Sequence, residues 1–192
     1  MKQSVRLFTG IAVPETVRQQ LERFLPEWTS RLAFERWPHP KDWHITLHFL
    51  GEMPADRLDD IRSALDEAAS GSEPFTIDVA DYGVFGPPGS PSILWAGIKQ
   101  PVPELESLHA RLASTLKQQA GFTAEKRPFH PHLTIARKYK GKERWSSEAM
   151  LAGLPELSLS WRVQEAVLYE SRLGQTPMYS VIHRSPLQNN NG

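Results

Sequence analysis

One short pattern occurs twice in the chain, as Trp43-His44-Ile45-Thr46-Leu47 and as Pro131-His132-Leu133-Thr134-Ile135. Each copy is His-x-Thr followed by an aliphatic residue, within a run rich in β-branched and apolar side chains, and so reads as a strand. Residues two apart on a strand share a face. His44 then projects with Thr46 and His132 with Thr134, while Ile45, Leu47, Leu133 and Ile135 anchor the opposite face in a core. A fold is needed that holds two such strands so that their polar pairs meet.

The repetition exceeds what composition alone supplies. Seven His and nine Thr in 192 residues give roughly 0.3 His-x-Thr triplets in a shuffled chain, and context carries the rest of the argument, as it must for any short motif. A chain of this length forms one large domain or two fused lobes and can bury about 70% of its unfolded surface. The absence of Cys excludes disulfides, cysteine nucleophiles and thiolate metal sites. Met1-Lys2-Gln3-Ser4-Val5-Arg6 lacks the apolar core of a signal peptide, and no apolar run approaches the ~20 residues that span a bilayer. The expectation is a soluble, cytoplasmic protein with no membrane attachment and no obligate protein partner.

Lys plus Arg balance Asp plus Glu at 22 each, which removes any overall field for tracking along nucleic acid. The distribution is uneven. Lys126, Arg127, Arg137, Lys138, Lys140, Lys142 and Arg144 face only Glu143 between residues 126 and 144. This run brackets the second motif, where it favours an anionic ligand.

Hydrophobic periodicity orders the remainder. Arg6 to Val13 reads as a buried strand, and Pro14 opens a helix carrying Val17, Leu21, Phe24 and Leu25. Two prolines break regular structure around Arg36-Trp37-Pro38-His39-Pro40. The first motif strand runs from His44 to Leu50, where Gly51 ends it. A second helix covers Pro54 to Ala69. Strands follow at Phe75–Val79 and Ile93–Ile98, then a third helix from Pro103 to about Gly121, the second motif strand, and a short helix from Ser146 to Leu151. Two last strands cover Arg162–Tyr169 and Met178–His183. The motif strands sit at comparable places in two similar halves. This predicts an α+β protein, a pseudo-twofold pair of lobes forming one bilobal catalytic domain over residues 1–187. Residues 188–192 form a polar tail expected to fray.

Two facing imidazoles suit a displacement in which one proton is taken and another given. With an ordinary pKa near 6.5, one can be neutral while the other is protonated. Phosphodiester cleavage has this demand, and the threonine hydroxyls can donate to the non-bridging phosphate oxygens. No metal is required. His44 and His48 have the spacing of a helical zinc pair, but that motif needs Glu after its first His and a helix, whereas Ile45 stands there in a β-like run.

His44-Ile45-Thr46-Leu47 and His132-Leu133-Thr134-Ile135 resemble the paired motifs of the 2H phosphoesterase superfamily. Arg6-Leu7-Phe8-Thr9-Gly10-Ile11, His48-Phe49-Leu50-Gly51-Glu52, Val84-Phe85-Gly86-Pro87, Leu94-Trp95-Ala96-Gly97 and Arg127-Pro128-Phe129-His130 extend the likeness to its RNA 2′,3′-cyclic phosphodiesterase branch, also called 2′-5′ RNA ligase. The resemblance implies two antiparallel sheets around a central cleft with helices outside. It also implies metal-independent, cofactor-free hydrolysis of a terminal 2′,3′-cyclic phosphate on RNA to a 2′-phosphate, reversible as 2′-5′ ligation. By carry-over His132 is general base, His44 general acid, and Thr46 and Thr134 hold the phosphate with Arg137. Strict alternation points Arg137 away from His132 and Thr134, so a bulge or the strand end must re-aim it.

His130, Phe8 and Trp43 are candidate substrate contacts, the aromatics as stacking surfaces for a base, with core packing as their ordinary alternative. Two other functions fit the same motifs. One is a phosphodiesterase acting on 2′-5′ linked oligonucleotides or small cyclic nucleotide phosphates. The other is a module that binds RNA ends without turning them over.

Overall fold

A computed structural model describes residues 4–188. The first three residues and positions 189–192 of the expected tail lie outside the described residues. Gln188 is tied down, its N–H donating to the Ser72 carbonyl at 3.0 Å.

The chain forms β1 (Ser4–Ala12), α1 (Glu15–Glu22), α2 (Leu25–Arg31), β2 (Phe34–Arg36), β3 (His44–Pro54), α3 (Leu58–Ser70), β4 (Phe75–Phe85), β5 (Ile93–Ile98), α4 (Pro103–Ala120), β6 (His132–Tyr139), α5 (Ser147–Leu151), β7 (Leu159–Val163), β8 (Glu165–Ser171) and β9 (Tyr179–Pro186). The helix expected to run through Leu25 is two helices, because Pro26 supplies no N–H and its ring collides with the preceding turn. Strand β3 continues past Gly51, which takes a left-handed conformation (φ 73°) within it. Strand β4 likewise outlasts Val79 by absorbing Asp81 (φ 61°) in a bulge. The single strand expected over residues 162–169 is β7 and β8, which break at Gln164 and lie in different halves of the sheet.

All strands pair antiparallel in the order β7-β4-β5-β6-β3-β1-β8-β9, with β2 also on β6. Two four-stranded halves are visible in this order. They meet at a seam between β3 and β6 that holds one residue pair, Ile45 opposite Leu133. Both side chains are fully buried, each stabilising the seam by about 1.5–3 kcal/mol of apolar burial. Helices α3 and α4 pack on each other, α3 covers β8 and β9, α4 lies against β3, and α1 lies against β7. No helix among the described residues is long and apolar enough to cross a membrane.

The halves repeat each other residue by residue around that seam. In the first, Ala12, Ile11, Gly10, Thr9 and Phe8 of β1 pair with His44, Ile45, Thr46, His48 and Phe49. In the second, Gly97, Ala96, Trp95, Leu94 and Ile93 of β5 pair with His132, Leu133, Thr134, Ala136 and Arg137. Both motif strands therefore carry one extra residue directly after the threonine, Leu47 in one and Ile135 in the other. The pseudo-twofold expected from the motif spacing thus extends to the irregularities of the strands.

Candidate active site

The seam register determines which side chains meet. With Ile45 opposite Leu133 on antiparallel strands, His44 stands across from Thr134 and Thr46 across from His132 on the cleft face. Each imidazole therefore faces the hydroxyl of the other motif. Within its own motif, His44 Nε2 also lies 3.0 Å from Thr46 Oγ1.

Both rings are fixed by the same device. His44 Nδ1 lies 2.6 Å from the Asp42 carbonyl oxygen, and His132 Nδ1 lies 2.7 Å from the His130 carbonyl oxygen. A carbonyl only accepts, so Nδ1 carries the proton in both rings and Nε2 is left to exchange one. The partner is in each case the backbone two residues earlier. Sequence reading missed this pairing, because the partners are backbone carbonyls that no side chain announces.

The extra residue in β6 decides the place of Arg137. Ile135 and Ala136 are both buried, so alternation slips by one and Arg137 returns to the face of His132 and Thr134. Arg137 lines a cavity of about 550 Å³ together with His44 and Thr134, bounded further by Arg36, Trp37, His39, Met178 and Tyr179. Among the described residues it forms no ion pair, whereas Lys138 and Lys140 of the same basic run face Glu35 at 3.8 and 2.6 Å. Glu35 thus offsets part of the run, and Arg137 is its cation inside the cavity.

The bulge in β3 has a second consequence. His48 leaves the cleft face, is buried, and places Nε2 2.9 Å from the His109 carbonyl, with the two rings stacked at 4.1 Å. It cannot share a metal ion with His44. Among the described residues no group of three His, Asp or Glu side chains is arranged to hold one.

Two candidate substrate contacts are core residues. Trp43 is 4% exposed and meets Trp28 edge-on in the interior. Phe8 is 2% exposed, stacked on Tyr169 and covered by Tyr179 and Phe49. Neither leaves a face free for a base. Phe8 packs against His44 at 4.7 Å instead and holds the ring from below. His130 is exposed beside Trp95, 6.3 Å from the ring of His132.

Asp42 is the site residue that the sequence did not disclose. Its carboxylate is buried and accepts the backbone N–H of Met178 through Oδ2 and of Tyr179 through Oδ1, both at 2.9 Å. One residue therefore fastens the Gln175–Tyr179 wall of the cavity with its side chain and orients His44 with its carbonyl.

Electrostatics hold both imidazoles neutral in the protein by itself. Desolvation pushes His44 down to about 4, with Arg137 and His132 adding to the shift and the Asp42 carbonyl opposing it. His132 is lowered by the same cause, against the His130 carbonyl. The sequence-based expectation of one neutral and one protonated ring therefore needs a nearby negative charge, which favours the protonated form.

Comparison with known proteins places this geometry in a family. Residues 13–175 match the family model of the 2′-5′ RNA ligase superfamily. The chain belongs to that superfamily. Within it, the chain is 38% identical over 179 residues to the RNA 2′,3′-cyclic phosphodiesterase of Geobacillus stearothermophilus, an alignment covering 92% of this chain and 56% of that protein. The chain thus spans little more than half the length of that relative. It is 32% identical over 183 residues to the protein of the same name from Bacillus subtilis, covering 94% and 95% of the two. Among solved structures, Escherichia coli LigT complexed with 3′-AMP superposes with a TM-score of 0.79 at 25% identity, over 97% of this chain and all of that one.

Proposed function

We propose that this chain hydrolyses the terminal 2′,3′-cyclic phosphate of RNA to a 2′-phosphomonoester. The phosphate sits between the two motifs. His132 Nε2 takes a proton from water as the water oxygen bonds to phosphorus. The P–O3′ bond breaks, and His44 Nε2 delivers its proton to the departing 3′ oxygen. Thr46 and Thr134 donate to the non-bridging oxygens, and Arg137 offsets the charge that builds there.

The observation that carries this reading is the matched anchoring of the two rings. Both donate Nδ1–H to a backbone carbonyl, so both direct Nε2 toward one centre, each opposite the other motif's hydroxyl. The environment of the two rings supports this assignment of base and acid. His44 is the more desolvated ring, in the cavity with Arg137 that would take the ribose, and the anionic phosphate charges it on arrival. The anchor of His132 on the His130 carbonyl is the more exposed of the two, which suits the ring that meets water. The names of the relatives and the 3′-AMP complex of LigT point to the same substrate class. RNA 3′ ends and small cyclic nucleotide phosphates are the ligands this site fits, and a cytoplasmic setting supplies them.

Incubation with a short RNA ending in 2′,3′-cyclic phosphate, with the product phosphates resolved, tests the reading. A 2′-phosphate forms with the native chain, and His132→Ala or His44→Ala lowers the rate by about 10²–10⁴-fold. Release of a 3′-phosphate would reject it.

A further inference from the structure

Backbone carbonyls aim both motif histidines, but the residues that supply those carbonyls are secured differently. Asp42 is fastened by its carboxylate to Met178 and Tyr179. Its counterpart His130 is exposed and lies in residues 121–131, an approach to β6 that forms neither helix nor strand. The His130 ring rests edge-on against Phe85 and Trp95, at 5.4 and 4.9 Å. Its backbone needs a hold as well, because the His130 carbonyl fixes His132 Nδ1 at 2.7 Å.

A stack of three rings supplies that hold. The ring of Phe129, the residue before His130, lies face to face with His109 of α4 at 3.9 Å and 12°. His109 lies in turn on His48 of β3 at 4.1 Å and 23°. The bulge in β3 seats the stack. It turns His48 off the cleft face and takes Leu47 out of the regular ladder with β1. Thr9 Oγ1 accepts the His48 N–H at 3.1 Å, and the His109 ring meets the Leu47 carbonyl. His48 Nε2 donates to the His109 carbonyl at 2.9 Å. Each histidine thereby bonds to the backbone of the other's element. Burial pushes His109 down to about 4 and lowers His48, so both rings are neutral and stack without repulsion.

The hydrolysis above gives these rings no task, yet Phe129 is one peptide from the carbonyl that aims the base. Resting on the assignment of His132 as that base, we infer that His109 is its positioning residue. The imidazole, clamped between His48 and Phe129, fixes the peptide whose carbonyl holds His132 Nδ1. His44 has its own fastening through Asp42. Loss of His109 therefore reaches one motif and spares the other.

The test reads the two motif rings separately. Imidazole nitrogen NMR of the native chain shows His44 and His132 both protonated at Nδ1, as their carbonyl anchors require. In His109→Ala the His132 signals move toward a mixture of tautomers while those of His44 stay. Phe129→Leu cuts the same link with the histidine pair intact and gives the same split. His109→Phe restores the stacked face and returns His132 to its native signals.

On a cyclic-phosphate RNA, His109→Ala lowers kcat by roughly 10–100-fold, as for a reacting group displaced by up to about 1 Å, with KM near native. That loss persists in a His44→Ala background and vanishes in His132→Ala, whose base is already gone. Native His132 signals in both His109→Ala and Phe129→Leu, equal movement of His44 and His132, or an equal rate loss in the two backgrounds would overturn the assignment. The NMR comparison needs no turnover, so it stands apart from the cyclic-phosphate assay that tests the proposed function.

Discussion

Removing the Asp42 carboxylate should loosen one wall of the site and the acid at its centre in a single step. Its two oxygens accept the N–H groups of Met178 and Tyr179 at 2.9 Å each, and a hydrogen bond to a charged acceptor contributes about 1.5–3 kcal/mol. Asp42→Ala forfeits both bonds, about 3–6 kcal/mol together. Asp42→Asn keeps one acceptor and turns an amide N–H toward the other donor, for about half that cost. The damage reaches the chemistry because the Asp42 carbonyl orients His44 at 2.6 Å. Misplacing a reacting group by about 1 Å costs on the order of 100-fold in rate. Urea unfolding reads the first effect and kcat/KM on a cyclic-phosphate RNA reads the second. In the folded Asp42→Ala protein kcat falls and KM rises, since the ring and the Gln175–Tyr179 wall shift together, with Asp42→Asn intermediate. A folded Asp42→Ala protein with native kcat and KM would refute the coupling.

Two further outcomes follow from the electrostatics. Burial holds the His44 ring down to about 4 and lowers His132. The productive free protein has His44 protonated and His132 neutral, so kcat/KM is greatest on the acid side of 6.5 and falls as pH rises through the higher of the two values. Bound phosphate raises His44, which moves the optimum of kcat to higher pH. A kcat/KM still climbing between pH 7 and 8 would contradict this sign. Arg137→Ala lowers kcat/KM by roughly 10–100-fold, the loss of one charge-assisted contact, and Arg137→Lys restores part of it as a point charge without the guanidinium fork. Native kinetics in Arg137→Ala would remove Arg137 from the site.

The central arrangement was legible because a strand of period two and a repeated polar pair are local properties. His44, Thr46, His132 and Thr134 needed only their spacing, and two lobes followed from the positions of the copies. Bulges are properties of pairs of strands, so Leu47 and Ile135 announce nothing by themselves. The phase of every residue beyond each threonine was therefore hidden, including the return of Arg137 to the cleft and the departure of His48 from it. Asp42 was hidden for another reason, since its partners lie 136 and 137 residues further on. Phe8 and Trp43 show the reverse limit. Aromatic residues near a motif read alike whether they stack on a ligand or, as here, support a histidine or fill the core.

The division of labour between the two histidines is tested most directly with a substrate whose bridging 3′ oxygen is replaced by sulfur. A thiolate leaves without a proton, so the acid becomes dispensable while the base does not. His44→Ala turns over the 3′-thio cyclic substrate at a rate close to the native chain, although it is crippled on the oxygen substrate, and His132→Ala is crippled on both. Rescue of His132→Ala in place of His44→Ala would reverse the roles. Rescue of neither would contradict leaving-group protonation by this pair.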